Sequence, residues 1–228
     1  MVLYFRVMKF VCYYIFLISI WVSAQELPKG FVYLEDEIPD LKTELRYYTS
    51  NNFIGKRIKG YESDRLIGTV SLKNALLIVQ NDLKKKGLGL LIYDAYRPQQ
   101  SVDYFVKWAE DLNDTLMKHQ FYPNVDKRNL FEEGYIASKS SHTRGSTVDV
   151  TLVDLKTEKV LDMGSSYDYF GKESWVKFKD LSRDQKRNRK ILQRVMLKHG
   201  FKNYAQEWWH FTLENEPYPE TYFDFKIE

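Results

Sequence analysis

The 228-residue sequence predicts a single α+β domain with a small, mostly antiparallel central sheet flanked by helices. The length suits one domain, and we find no internal repeat, low-complexity tract or flexible linker that would divide it. Helical and strand patterns are mixed without the regular alternation that parallel sheets require. With 44% hydrophobic and 16% aromatic residues, the composition excludes wholesale disorder and is sufficient for a core.

Three segments predict helices, the first because apolar residues recur in it at helical spacing and the second because it begins just after Arg97-Pro98. These segments are residues 72–86, 99–112 and 182–199. The last segment has the clearest ends, since Ser182 and Gln185 fit a capping box and Gly200 follows the final turn.

Three further segments predict strands. They are LGLLIY at 88–93, TVDVTLV at 147–153 and EWWHFTL at 207–213. The first is a short apolar run typical of a buried strand, and the second alternates β-branched residues. The third is expected to begin as a turn and to continue as a strand.

Residues 1–24 predict a secretory signal peptide. Arg6 and Lys9 give a basic start, an apolar run follows, and small residues precede Gln25. The run is shorter than the roughly 20 apolar residues that span a bilayer. An uncleaved anchor and a buried core helix are the alternatives. We expect cleavage to leave residues 25–228 as the domain, periplasmic or secreted, without stable membrane insertion.

Charge and cysteine counts limit the classes of partner. The 34 basic and 31 acidic residues give a formal net charge of +3, without the excess typical of proteins that neutralise nucleic-acid phosphates. The basic run 183–190 is interpreted as the solvated face of the third helix, so we predict no nucleic-acid partner. Cys12 is the only cysteine and lies in the signal peptide, so we expect neither a disulfide nor a thiolate metal site.

The segment SKSSHTRGSTVDV, residues 138–150, places polar side chains within and just before a predicted strand. His142 and Asp149 lie seven residues apart, and Gly145 between them permits a sharp reversal of the chain. Asp149 stands between two valines, where a carboxylate is costly unless it is paired or bound to a metal. Taken alone, the segment favours a simpler interpretation, a capping histidine and an aspartate on a solvated strand face.

Glu207 and His210 stand in an aromatic segment, beside Trp208, Trp209 and Phe211. Aromatic walls lower the local dielectric constant, which raises the pKa of a carboxyl group and suits it to act as a base near neutral pH. A surface glutamate and a core histidine bonded to a carbonyl group explain the segment equally well.

Considered together, His142, Asp149 and His210 form a two-histidine, one-carboxylate set. This set is typical of catalytic zinc, with a fourth position left for water, so we expect one Zn²⁺ per chain. Glu207 is placed to take a proton from that water. A structural zinc site would instead use four protein ligands, usually cysteines. The two remaining histidines are predicted to lie at the surface.

Arg97 follows the predicted strand 88–93 closely and precedes Pro98. An arginine at a strand end, with its backbone stiffened by proline, is suited to stabilise an oxyanion. A structural pairing of Arg97 with Asp94 is equally compatible with the sequence.

Three motifs occur in a family's order: DAYRP at 94–98, SKSSHTRGSTVD at 138–149 and EWWH at 207–210. This set resembles the zinc D-alanyl-D-alanine dipeptidases of the VanX type, which are relatives of the zinc D,D-carboxypeptidases and of the Hedgehog signalling domain. Stretches at 46–55, 163–170 and 216–225 also fit. The resemblance therefore covers nearly all of residues 30–228.

The resemblance implies hydrolysis of a small dipeptide in a closed cavity that excludes longer chains. It implies zinc held by His142, Asp149 and His210. It also implies that Glu207 is the catalytic base and proton shuttle, and that Arg97 stabilises the transition state.

The same matching implies a group of substrate-binding residues. Tyr47, Ser140 and Asp168 are expected near the backbone ends of the dipeptide, with Asp168 nearest its free ammonium group. Ser138 and Ser141 crowd Ser140 and could exchange roles with it.

Other functions remain compatible with the sequence. A D,D-carboxypeptidase acting on peptidoglycan stems would share the metal ligands but need an open groove. A zinc-bearing binding module, as in Hedgehog, would not need Glu207 or Arg97. The resistance-associated members are cytoplasmic, so the predicted export favours recycling of D-Ala-D-Ala released from peptidoglycan. The oligomeric state is left open.

Overall fold

The computed structural model describes residues 26–228, so the predicted signal peptide lies outside the described residues. The strands are β1 (Phe31–Tyr33), β2 (Lys42–Thr43), β3 (Ile67–Thr69), β4 (Leu88–Asp94), β5 (Thr147–Asp154), β6 (Phe201–Asn203) and β7 (His210–Leu213). The α-helices are α1 (Leu34–Glu37), α2 (Val70–Lys84), α3 (Gln99–Glu110), α4 (Lys118–Phe121) and α5 (Arg183–Lys198). Short 3-10 helices occupy Arg46–Tyr48, Lys127–Asn129, Ser141–Arg144 and Lys172–Ser174.

The central sheet has five strands in the order β2-β4-β5-β7-β6. β2 runs parallel to β4, and the other neighbouring pairs are antiparallel. β4 and β5 are buried along almost their whole length, as the apolar run of β4 and the β-branched residues of β5 led us to expect. β1 and β3 form a separate antiparallel pair. The predicted α+β class with a mostly antiparallel sheet is confirmed.

The strand register aligns polar residues from three neighbouring strands. Asp149 on β5 pairs with His210 on β7 and with Asp94 on β4. A β-bulge between Ile92 and Asp94 shifts the register of β4 just before this row. Directly opposed residues of antiparallel strands place their side chains on the same face. One face of the sheet therefore carries two carboxyl groups and an imidazole side by side.

The three predicted helices are confirmed as α2, α3 and α5, with ends that differ from the prediction by at most two residues. The capping box of α5 forms, because Ser182 and Gln185 each bond the backbone N–H of the other through their side chains. α2 begins early because the Thr69 side chain accepts a hydrogen bond from the Leu72 N–H. No helix within residues 26–228 has the length and apolar character needed to cross a membrane.

An aromatic cluster packs beside the polar row. The ring centroid of Phe53 lies 4.9 Å from that of Phe105, 5.0 Å from Trp108 and 5.1 Å from Phe170. Since Phe105 and Trp108 both lie on α3, this helix supplies much of the cluster. Part of the aromatic content of the chain is thereby explained as an apolar wall.

The basic run 183–190 is only partly a solvated face, which corrects the interpretation from sequence. Arg189 is buried, and its guanidinium group donates hydrogen bonds to the carbonyl oxygens of Met163, Glu173 and Trp175. These carbonyl groups belong to the loop between β5 and α5. α5 therefore anchors that loop from within.

Candidate active site

His142, Asp149 and His210 are brought together by two paired strands and the turn before them. Asp149 lies within β5, and His210 begins β7 directly opposite. His142 lies in the short 3-10 helix that precedes β5. Gly145 ends this turn at φ +79°, and a Cβ there would lie 2.3 Å from a ring carbon of Phe31. The turn that positions His142 therefore requires glycine.

The three candidate ligand atoms form a nearly equilateral triangle. His142 Nε2 lies 3.2 Å from Asp149 Oδ1 and 3.3 Å from His210 Nδ1. The third side, from Asp149 Oδ1 to His210 Nδ1, is 3.2 Å. Tetrahedral zinc with bonds of about 2.0–2.1 Å holds its ligand atoms roughly 3.3 Å apart. The spacing of these atoms therefore fits zinc.

The protonation states of these groups also suit the binding of a cation. His142 Nδ1 lies 2.7 Å from the carbonyl oxygen of Ala95, which can only accept, so Nδ1 carries the proton and Nε2 presents a lone pair. Burial lowers the pKa of His142 to about 4, against the opposing charge of Asp149. Asp149 Oδ1 is buried and has no hydrogen-bond partner among the described residues. A metal ion within the triangle would supply the missing positive charge.

Glu207 lies beside the triangle and contacts one of its members. Its Oε2 is 3.4 Å from His210 Nδ1, and its side chain is 20% exposed. Burial raises the pKa of Glu207 to about 7, opposed by His210 and reinforced by Asp149. A carboxyl group with that pKa can both accept and donate a proton near neutral pH.

Arg97 both pairs with Asp94 and faces the cavity, which are the two roles that the sequence left as alternatives. Its guanidinium group donates to Asp94 Oδ2 at 2.9 Å, and it also borders the cavity in front of the triangle. Arg97 Nη2 lies 3.5 Å from Asp149 Oδ2. Asp94 is fully buried, and this burial raises its pKa to about 7 despite the charge of Arg97. The structural pairing therefore orients the group that faces the cavity.

Sequence reasoning missed two tyrosines that support these carboxyl groups. Tyr61 donates a hydrogen bond of 2.7 Å to Asp94 Oδ1, and Tyr167 donates one of 3.0 Å to Asp149 Oδ2. Tyr61 lies 33 residues before Asp94 and has no local signal. Tyr167 precedes Asp168 in a stretch that fits the family, which was the one available indication.

Tyr47 and Asp168 form a second polar pair at the cavity. The Tyr47 hydroxyl donates to Asp168 Oδ1 at 3.2 Å. Asp168 Oδ2 is buried without a partner among the described residues, and burial together with Asp149 raises the pKa of Asp168 well above its ordinary value. Asp168 adopts φ 59°, a left-handed conformation uncommon outside glycine. An ammonium group in the cavity would provide the missing partner.

The structure separates the three serines before His142. Ser140 Oγ accepts a hydrogen bond of 3.3 Å from the His142 N–H, and Ser141 Oγ lies 3.2 Å from His210 Nε2. Ser140 and Ser141 both border the cavity, whereas Ser138 is not among its lining residues. Ser141 thus shares the location predicted for Ser140.

The other two histidines lie away from this group. His119 is exposed on α4, and His199 follows α5 with its Nε2 2.8 Å from Asp82 Oδ2. Neither belongs to a cluster of metal-binding side chains among residues 26–228.

All eight predicted site residues border one cavity of about 260 Å³. They are Tyr47, Arg97, Ser140, His142, Asp149, Asp168, Glu207 and His210. Apolar side chains, among them Phe53, Phe105 and Phe170, complete the wall. The volume lies below the roughly 300–1,000 Å³ of sites for drug-sized ligands. The arrangement suits a small molecule that carries charge.

The chain is similar to several curated proteins named D-alanyl-D-alanine dipeptidase. It is 40% identical to that of Enterococcus faecalis over 201 residues, which are 88% of this chain and 100% of the relative. It is 40% identical to that of Streptomyces coelicolor over 197 residues, 86% of this chain and 98% of the relative. The Escherichia coli relative is 33% identical over 175 residues, 77% of this chain and 80% of its own length.

A solved structure and a family model also match this chain. A solved zinc complex of the vancomycin resistance D,D-pentapeptidase VanY aligns with 68% of this chain and 77% of its own, at 11% identity and a TM-score of 0.40. The family model described as D-ala-D-ala dipeptidase, Peptidase_M15, matches residues 28–228. With this match and relatives at 40% identity over nearly their whole length, the chain belongs to the D-Ala-D-Ala dipeptidase family of peptidases.

Proposed function

We propose that this chain hydrolyses the free dipeptide D-Ala-D-Ala with one bound zinc ion. The observation that carries the proposal is a single cavity that combines a zinc-spaced triangle of ligand atoms with Glu207, Arg97 and the unpartnered oxygen of Asp168. Membership in the D-Ala-D-Ala dipeptidase family supports the choice of substrate. The small volume of the cavity supports a dipeptide over a long peptide.

The chemistry follows from the groups around the triangle. Its three side chains would hold zinc, which when bound supplies a Lewis acid that polarises the scissile carbonyl group and lowers the pKa of water. Glu207 accepts a proton from the attacking water and then donates it to the leaving amine, and its pKa of about 7 suits both transfers. Arg97, oriented by Asp94, donates hydrogen bonds to the substrate oxygen as negative charge develops there.

The remaining predicted residues bind the ends and backbone of the dipeptide. Asp168 accepts the substrate ammonium group through Oδ2, while Tyr47 holds its other oxygen. Ser140 and Ser141 offer hydroxyl groups next to the reacting bond. The aromatic wall packs against the methyl side chains of the dipeptide and limits the access of bulk water to the cavity.

Assays on three substrates test this function. The purified protein should contain zinc and hydrolyse D-Ala-D-Ala in preference to L-Ala-L-Ala. It should act much more slowly on N-acetyl-D-Ala-D-Ala, because acylation removes the ammonium group that Asp168 binds. Faster hydrolysis of the acetylated substrate would instead indicate a D,D-carboxypeptidase. Bound zinc without turnover of any of the three would indicate a binding module.

We further propose that the enzyme is exported and recycles D-Ala-D-Ala released from peptidoglycan. The support is the sequence pattern of residues 1–24, with a basic start, an apolar run and small residues at its end. A reporter fused behind these residues should leave the cytoplasm. A reporter that stays in the cytoplasm would contradict export and make a resistance role possible again.

A further inference from the structure

We propose that Lys139 binds the free carboxylate of the dipeptide and selects substrates with an unblocked carboxyl end. The inference rests on the proposed dipeptidase function. A dipeptide is a zwitterion, so a cavity that binds it well needs a cation as well as the carboxylate that Asp168 provides.

The charges that border the cavity leave Lys139 as the available cation. Arg97 also lines it, but its guanidinium group is bonded to Asp94 at 2.9 Å and lies 3.5 Å from Asp149. Lys139 lines the same cavity, and none of the ion pairs among residues 26–228 includes its ammonium group. Its contact is with an aromatic ring, that of Tyr222, at 4.8 Å from the centroid.

The backbone on both sides of Lys139 is tied to the site. Gln99 at the start of α3 donates a hydrogen bond of 3.1 Å to the Ser138 carbonyl oxygen. Ser140 on the other side accepts from the His142 N–H. The backbone of Lys139 is thereby held three residues before the proposed metal ligand His142, while its long side chain is exposed.

The different burial of Asp168 and Lys139 determines which end of the dipeptide would point inward. Asp168 is 6% exposed, whereas Lys139 is exposed at the cavity surface. A dipeptide with its ammonium group at Asp168 and its carboxylate at Lys139 would lie with the amino end inward and the carboxyl end toward the opening. The ring of Tyr222 then holds the lysine ammonium group when the cavity is empty, through a cation–π contact that is weak at an exposed position.

A comparison of two substrates on two variants tests this assignment. D-Ala-D-Ala and D-alanyl-D-alaninamide differ only in the negative charge of the carboxyl end. In Lys139→Met, KM for the free acid should rise about fivefold with kcat nearly unchanged, the effect expected of one partly solvated ion pair. KM for the amide should not change. Lys139→Arg should restore the preference for the acid, and Lys190→Met on α5 should behave as the wild type.

A second measurement separates binding from turnover. In the Glu207→Gln background, calorimetry should show the same loss of affinity for D-Ala-D-Ala, and none for the amide, when Lys139 becomes Met. A variant that weakens acid and amide equally would overturn the assignment and indicate a structural role through Tyr222. Unchanged KM and affinity for the acid would overturn it as well and leave the dipeptidase function intact. A wild type inert toward D-Ala-D-Ala would remove the proposed function and this inference with it.

Discussion

The two sides of the cavity are built in different ways. On one side, which we call the sheet side, Asp149 and His210 occupy paired positions of adjacent strands. A ladder of backbone hydrogen bonds therefore determines their separation. On the other side, which we call the loop side, Tyr47 of a short 3-10 helix and Asp168 of a loop lie 121 residues apart in the chain and are joined by one side-chain hydrogen bond. The proposed metal-binding side is therefore held by strand pairing, while the side proposed to recognise the amino end depends on loop structure.

The loop side of the cavity is stabilised by a residue that does not line the cavity. The buried Arg189 of α5 donates hydrogen bonds to carbonyl oxygens at 163, 173 and 175, on both sides of Asp168. A charged hydrogen-bond donor compensates for backbone carbonyl groups that no strand satisfies. We therefore expect changes on the sheet side to affect kcat and metal binding, and changes on the loop side to affect KM.

The largest effect is expected from Asp149→Asn on the sheet side. The neutral amide keeps the shape of the side chain but removes the negative charge from the triangle. Zinc affinity should fall by more than about 100-fold, since loss of even an outer partner of a metal ligand costs about 10- to 100-fold, and turnover should fall with it. Titration with a competing chelator measures the affinity, with Asp154→Asn at the end of the same strand as control. Zinc affinity equal to that of the wild type would remove Asp149 from the ligand set.

Glu207→Gln should separate chemistry from metal binding. The amide cannot accept a proton, so kcat should fall by about 10²- to 10⁴-fold while the zinc content stays at the wild-type level. Steady-state kinetics together with metal analysis check both parts. Glu214→Gln, just beyond β7, is the matched control. Turnover that persists in Glu207→Gln would show that another group takes the proton.

Asp94→Asn tests whether a residue outside the cavity positions one inside it. Without the carboxylate, Arg97 loses its charged partner, and Tyr61 loses the carboxylate oxygen that accepts its hydrogen bond. A displacement of about 1 Å can cost on the order of 100-fold in rate, so kcat should fall by up to that factor with KM little changed. Thermal unfolding of the variant checks that the fold persists. An effect on KM alone would contradict the positioning role.

The smallest of these effects is expected from Asp168→Asn on the loop side. Loss of one charged hydrogen bond to the substrate should raise KM for D-Ala-D-Ala by about tenfold, with kcat changed much less. The discrimination against N-acetyl-D-Ala-D-Ala should shrink by the same factor, because the amide no longer favours a charged amine. If kcat fell as far as in Glu207→Gln, the two sides of the cavity would not differ in their effects on kcat and KM.

Local patterns predicted the long elements and failed for the short ones. α2 follows from apolar spacing, α3 from the proline before it and α5 from its capping residues, while β4, β5 and β7 follow from apolar, β-branched or aromatic residues. The strands β1, β2, β3 and β6 have two or three residues each, too few for a period to be recognised. Their existence depends on partners far away in the chain, as the pairing of β2 with β4 illustrates.

The sequence by itself determined the chemistry available at the site. His142, Asp149, Glu207 and His210 are recognisable from residue type and from the apolar residues around them, since zinc and proton transfer demand particular atoms. Only the tertiary structure decided how these groups are held. Packing brings together the hydrogen-bonded pair of Tyr61 and Asp94, and it brings Arg189 to the loop. It also places Ser141, and not Ser138, at the cavity. Such contacts leave no local pattern, because each partner looks ordinary in its own segment of chain.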